Sequence, residues 1–198
     1  MPSKAERTSQ FILESVAPVF NRRGYMATSM SEITKATGLT KGAVYGNFEN
    51  KEQLALSAFE FNIKKISDEI RSYTRQVKSP IDKLLALTKF YRNYHDYSNN
   101  LGGCPILNIG VDAKNNNPQL FKRVKQVIKE FQDNLTFLIQ KGIDVGDIKP
   151  TVDAKKYASR IFALMEGSIF MAVTMNDRSY LTDMMDFIDH MINNELKK

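Results

Sequence analysis

Between residues 40 and 51 the chain reads Thr-Lys-Gly-Ala-Val-Tyr-Gly-Asn-Phe-Glu-Asn-Lys. On a helix begun at Thr40, Val44 and Phe48 share one face at i and i+4, which leaves Thr40, Lys41, Gly42, Tyr45 and Asn47 on the other. Hydroxyl, amide and small side chains of this kind suit base edges and phosphates, and Lys51, in the first turn of the next helix, adds a cation within reach of a phosphate. The plainer reading makes Tyr45 a half-buried packing residue and Lys51 a solvated surface lysine. Cys104 is the other reactive group. It follows Gly102-Gly103 and precedes Pro105, the place of an N-cap, where the helix dipole favours thiolate. The alternatives for it are a small buried hydrophobe, an electrophile or redox sensor, and a noncovalent ligand contact.

Catalysis finds little support. His95 and His190 lie far apart in sequence, no Ser/His/Asp or paired-carboxylate arrangement stands out, and no glycine-rich phosphate loop follows a strand. No Cys/His spacing suits zinc, so neither a metal nor a cofactor is expected. A single cysteine in 198 residues excludes an internal disulfide and points to a reducing compartment. The N-terminus lacks an apolar signal core and no unbroken apolar run approaches a membrane span, so the expectation is a soluble, cytoplasmic protein. Net charge is +6, and the first 51 residues carry +3 of it, from Lys4, Arg7, Arg22, Arg23, Lys35, Lys41 and Lys51 against Glu6, Glu14, Glu32 and Glu49. That concentration favours a polyanionic partner.

The elements that must position these groups are all helical, because apolar residues return every three or four positions without sustained alternation. With 42% hydrophobic and 25% charged residues the chain can bury a core. Ser3 with Glu6 forms a capping box opening a helix whose stripe of Ile12, Val16, Val19 and Phe20 runs to Gly24, with a kink expected at Pro18. Ser29 with Glu32 opens a short helix ending near Thr37-Gly38, and Thr40 caps another through Asn47. A long helix starts at Asn50 with Gln53 and runs to about Arg75. The next begins at Ser79-Pro80 and ends before Asn99. Helices from Pro105, from Asn117-Pro118 to Gly142, from Asp153 to about Thr174 and from Tyr180 to Leu196 bring the expected number to about nine.

Two short helices joined by a glycine turn and held on a third make a helix-turn-helix. Ile33 and Ala36 are expected to face inward, with Leu39 plugging the turn. At Ile33, Thr37-Gly38-Leu39-Thr40-Lys41-Gly42-Ala43-Val44-Tyr45, Phe48, Lys51-Glu52 and Leu54 the sequence resembles the TetR/AcrR family of bacterial regulators. The resemblance covers about the first 60 residues and departs from the family pattern at Gly46-Asn47, where members often carry an aromatic and a histidine. It implies that Tyr45 and Lys51 hold phosphates, that Thr40, Lys41 and Gly42 sit at the DNA surface, and that Thr28 or Ser29 anchors the first short helix to the backbone. It also implies a DNA-binding domain over residues 1–60 and an effector-binding and dimerisation domain over 61–198.

The second part is rich in aromatic and sulfur side chains: Phe59, Phe61, Phe90, Tyr91, Tyr94, Phe131, Phe137, Phe162, Met165, Phe170 and Met171. Most must pack the bundle. The resemblance tips Phe61, Phe90, Tyr94, Cys104, Asn108, Phe131, Phe162 and Met165 toward a pocket for an apolar or amphipathic effector. It further implies a homodimer through the last two helices, which carry Ile161, Leu164, Met165, Ile169, Met184, Phe187, Ile188, Met191 and Ile192, with Gly167 or Ala172 permitting close approach. Two half-sites on a palindromic double-stranded operator would then be read together, repression being the family default. The competing readings are a DNA-bound architectural protein without an effector and a binding protein whose DNA module has lapsed.

Overall fold

The computed structural model describes residues 3–198, which form ten α-helices: α1 (Lys4–Ala27), α2 (Met30–Thr37), α3 (Lys41–Tyr45), α4 (Lys51–Thr74), α5 (Pro80–Arg92), α6 (Tyr94–Asn100), α7 (Pro105–Asn116), α8 (Pro118–Asp144), α9 (Ala154–Met175) and α10 (Ser179–Met191). A π-helical turn, Ile192–Leu196, ends the chain. The capping signals read from the sequence set most starts. Ser3 and Ser29 each form the complete capping box with Glu6 and Glu32, Thr40 accepts from the Ala43 N–H, and Ser79 and Asp153 cap α5 and α9.

Two compact units arise, neither contiguous in sequence. The first comprises the chain up to Ile66 together with Ser98–Lys125; the second comprises Ser67–Tyr97 and Gln126–Lys198. The unit boundaries fall inside α4, α6 and α8, so each of these helices serves both.

In the first unit Ile12, Val16 and Phe20 of α1 meet Ile33, Val44, Phe48 and Leu54, with Leu39 and Phe61 packed beside them. Complete burial of an Ile or Leu side chain contributes about 1.5–3 kcal/mol, so this cluster fixes where three short elements lie. Helical torsions persist through Pro18, and the break in α1 comes at Gly24, with φ 82° and ψ 170°. Gly24 does not stop the helix, which resumes to Ala27. Two asparagines stitch the turn before α7 to α1. The Asn21 amide donates to the carbonyls of Leu101 and Gly103, both at 2.7 Å, and Asn108 donates back to the Asn21 carbonyl at 3.0 Å.

The second unit departs from expectation at three places. The helix begun at Pro80 breaks at Asn93 and restarts at Tyr94, although no proline or glycine interrupts it. Around Phe90 the rings of Tyr73, Tyr91, Tyr94 and Tyr97 pack edge-on with centroids 5.0–5.7 Å apart, so the break serves an aromatic cluster. Gly142 does not end α8. It is buried two residues before the end, where a side chain's Cβ would sit 2.5 Å from the tip of Ile148. Phe137, Phe170 and Met171, expected in the core, are exposed.

The last two long helices pack on each other, and Ile161, Met165, Ile169 and Ala172 of α9 with Leu181, Met185, Ile188 and Met191 of α10 are buried. Thr88 and Arg92 of α5 hold α10 through Asp189, at 2.6 and 2.7 Å. Much of the apolar set assigned from sequence to a subunit contact is therefore spent inside the subunit. Exposed apolar positions include Ala163, Gly167, Phe170, Met171, Val173 and Met175 on α9 with Tyr180 and Phe187 on α10; Ala172 is fully buried and cannot serve close approach, whereas Gly167 faces open space. By length and composition α9 is also apolar enough to cross a membrane, although no unbroken apolar run of that length occurs in it.

Gly24→Ala tests the α1 break. Its torsions belong to a region populated almost only by glycine, and the added Cβ would lie 2.7 Å from the Asp112 carboxyl. The expected loss is about 2 kcal/mol of unfolding free energy by urea titration; a midpoint unchanged from wild type would show that the break carries no constraint.

Candidate functional site

The five residues of α3 are too few to hold a helix in water by themselves. Order comes from both ends and from beneath: Thr40 caps the start, Gly38 closes α2 in the left-handed conformation, and Val44 and Phe48 anchor the inner face in the core. Thr40, Lys41 and Gly42 are exposed in consequence, Tyr45 is half-buried, and the Lys41 ammonium lies 5.8 Å from the Tyr45 ring centre. Between α2 and α3 the chain thus presents a short polar ridge over an apolar foundation.

Not every residue assigned to that ridge lies on it. Thr28 is fully buried and donates its hydroxyl to the Gly24 carbonyl at 2.7 Å, so it cannot reach a DNA backbone; Ser29, next to it, is exposed. Ala36 is exposed as well, and the inward position belongs to Thr37, whose hydroxyl donates to the Ile33 carbonyl and accepts from the Leu39 N–H. Asn47 is half-committed: its amide donates to the Ala43 carbonyl at 2.9 Å and its oxygen accepts from Ser9 of α1 at 3.0 Å.

Lys51 is half-buried with its ammonium 4.5 Å from the Tyr25 ring centre, between the carboxylates of Asp112 and Glu32. Burial pulls this ammonium below its usual range, and the two carboxylates oppose the shift. Burial, then the nearby Glu52, raises the Tyr25 phenol. Asp112 also accepts from the Tyr25 backbone N–H at 2.6 Å, just past the break in α1. Ser9, Tyr25 and Asp112 were not singled out from the sequence; their partners lie 38, 26 and 87 positions away, and no local spacing announces such pairs.

The second unit contains a half-open cavity of about 280 Å³ between α4, α5, α8 and α9, near the lower end of the range for small-molecule sites. Of the eight pocket residues expected from sequence, it brings together Phe131, Phe162 and Met165. Phe90 and Tyr94 are consumed by the aromatic cluster. Phe61, Cys104 and Asn108 belong to the first unit: Phe61 packs on its core under Lys65, Asn108 is the stitch to α1, and Cys104 is a buried N-cap residue of α7 whose thiol makes no capping hydrogen bond. Burial at 2% exposure takes that thiol away from electrophiles in solution and favours packing. Among the described residues no three His, Cys, Asp or Glu side chains gather as a metal group.

A capped pair of short helices with a polar outer ridge, joined to a helical unit that contains a cavity, is the construction of a helix-turn-helix regulator. Residues 12–58 match the profile "Bacterial regulatory proteins, tetR family" and residues 80–188 match "Tetracyclin repressor-like, C-terminal domain", which covers more than half the chain; the protein belongs to the TetR family of transcriptional regulators. It is similar to a TetR-family regulator from Chloroflexus aurantiacus at 34% identity, with 98% of each chain covered and a TM-score of 0.92. A TetR-family regulator from Cytophaga hutchinsonii is 33% identical over all of this chain and 98% of its own, with a TM-score of 0.90. The fatty acid metabolism regulator protein of Bacillus subtilis is 22% identical over 169 residues, 85% of this chain and 84% of that one.

The capping box of α2 gives a pH-dependent test. Hydrogen bonds from the Ser29 backbone and hydroxyl hold the Glu32 carboxyl below its usual range. A lowered folded-state value contributes stability above the unfolded-state pKa, and that stability fades as pH falls through the folded value. Ser29→Ala should cost about 1 kcal/mol at neutral pH and move the Glu32 carbon-13 titration upward. A Glu32 midpoint identical in both proteins would remove the Ser29 hydroxyl from the hold on that carboxyl.

Proposed function

We propose that residues 1–60 bind a palindromic double-stranded operator in the cytoplasm, that two chains join through α9 and α10 to span its half-sites, and that a small apolar or amphipathic molecule in the cavity, within residues 61–198, releases the DNA, so that the protein represses. The observation that carries DNA binding is the ridge of exposed Ser29, Thr40, Lys41 and Gly42 with half-buried Tyr45, whose opposite face is locked in the core. Thr40 and Tyr45 offer hydroxyl hydrogens, Lys41 a charge, and Gly42 a backbone with no side chain to hold it off. Asn47 acts as a strut between α3 and α1, and its remaining amide hydrogen is its only donor left for a base. Lys51, freed from the Tyr25 ring, holds a phosphate.

Release is proposed to run through α4. Its first turn carries Lys51, and its last part supplies Ser67, Ile70, Arg71 and Thr74 to the cavity wall. Linkage requires that an effector acting this way bind the DNA-free protein more tightly than the operator complex.

The dimer is supported by the exposed apolar positions 163, 167 and 170 of α9 and 180 and 187 of α10, which recur at helical spacing. Phe187→Glu should turn the protein into a monomer in sedimentation at micromolar concentration and weaken binding to the full palindrome far more than to one half-site. A variant that stays dimeric removes α10 from the contact.

Operators selected from genomic DNA supply the target for the central test. Lys51→Ala should weaken all sequences alike and reduce the slope of log affinity against log salt by about one unit, as loss of one phosphate contact does. An unchanged slope takes Lys51 off the interface and leaves it as the anchor of Tyr25.

A further inference from the structure

The polar edge of the cavity in the second unit carries charge of one sign only. Arg71 of α4 and Lys83 of α5 line it, with Ser67 and Asn134 beside them, and no carboxylate is among its lining residues. Lys83, Ser67 and Asn134 make no side-chain hydrogen bond or ion pair with any described residue. Arg71 pairs with Asp68 at 2.9 Å, an exposed contact within one helix that contributes little and leaves further guanidinium donors unused. Opposite these groups the wall is apolar, with the rings of Phe131 and Phe162 stacked at 6.2 Å. Free donors and two cations, one of them lightly paired, thus share a single recess with an aromatic surface.

We propose that this cavity takes an anionic amphiphile: an alkyl chain against Phe131 and Phe162, and a carboxylate or phosphate head on Lys83 and Arg71. The assignment rests on the reading of the cavity as the effector site and adds the chemistry of its occupant. A cationic ligand would meet two like charges, with Asp68, outside the lining, already paired to one of them. A neutral one would cover Lys83 and Arg71 without supplying an acceptor of matching charge, at a desolvation cost that nothing returns. An anionic head satisfies both cations by charge-assisted hydrogen bonds, with Ser67 and Asn134 as further donors. A volume of about 280 Å³ corresponds to about nine water molecules at roughly 30 Å³ each, which sets the chain at on the order of ten heavy atoms.

Calorimetric titration of the whole DNA-free protein with decanoate, decyl phosphate, decanol and decyltrimethylammonium tests this. At least one of the two anions should bind at a single site per chain about tenfold or more tightly than decanol, with the cation weakest; the tighter anion identifies the head. Lys83→Gln, at a half-exposed position that core packing does not need, should weaken the anions about tenfold and leave decanol within about twofold, and Arg71→Gln should act in the same direction. Decanol binding as tightly as both anions, or anion affinity indifferent to both substitutions, overturns the anionic assignment while leaving the cavity an effector site. Failure of all four compounds to bind at a single site overturns the occupancy reading itself. Neither result depends on operator release, which is measured separately.

Discussion

At the end of α1 the backbone of Gly24 swings out of the helix, and the next N–H, that of Tyr25, is met by the Asp112 carboxylate at 2.6 Å. That contact sets the route by which the chain leaves α1 for α2. The turned chain lets the Thr28 hydroxyl close back on the Gly24 carbonyl, which puts Ser29 in place to cap α2. It also lays the Tyr25 ring beneath the Lys51 ammonium. A hydrogen bond to a charged group contributes about 1.5–3 kcal/mol, enough to hold one backbone route against its alternatives. Because Asp112 sits on α7, the start of the recognition elements is tied to a helix almost ninety residues away in sequence.

From there the ridge is built by subtraction. The larger aliphatic side chains of α2 and α3, Ile33 and Val44, are buried in the core, and caps occupy the backbone donors at each start. What is left outward is polar by construction. Asn47 shows the limit: it stands at the edge of the ridge, but the strut to Ser9 and the bond back to Ala43 take most of its hydrogen-bonding capacity. Stiffness of this kind lowers the entropy lost when a surface meets a rigid duplex.

The parts of this arrangement that were legible in the sequence are those encoded within three or four residues. Capping boxes at Ser3 and Ser29, the caps at Thr40, Ser79 and Asp153, and the Val44 and Phe48 pair all follow from i to i+3 and i+4 geometry. Thr37 in place of Ala36 was illegible because side-chain hydrogen bonding to the turn, and not apolarity, chose the inward residue. The break at Asn93 was hidden because its cause, the cluster about Phe90, reaches back to Tyr73 on another helix. Which expected residues share the cavity was illegible for the same reason: Phe131, Phe162 and Met165, on α8 and α9, line it, whereas Cys104 and Asn108 are drawn into the first unit by partners on α1 or by burial that no local pattern records.

Helix α9 shows why mean hydropathy alone cannot assign a role. Its apolar content passes for a membrane span, yet a span is apolar all round, and this helix opens with Lys155, Lys156 and Arg160 and carries Glu166 at its middle. Its apolar residues divide between two faces. Ile161, Met165, Ile169 and Ala172 are buried against the rest of the unit, while Ala163, Gly167 and Phe170 recur at four and three positions on the outer side, with Met171, Val173 and Met175 exposed beyond them. A helix packed on one face needs only the first set. The second set, with Gly167 open to close approach and Phe187 exposed on the neighbouring helix, is surplus to the fold of a single chain, and surplus apolar surface at helical spacing is what a second helix pair would cover.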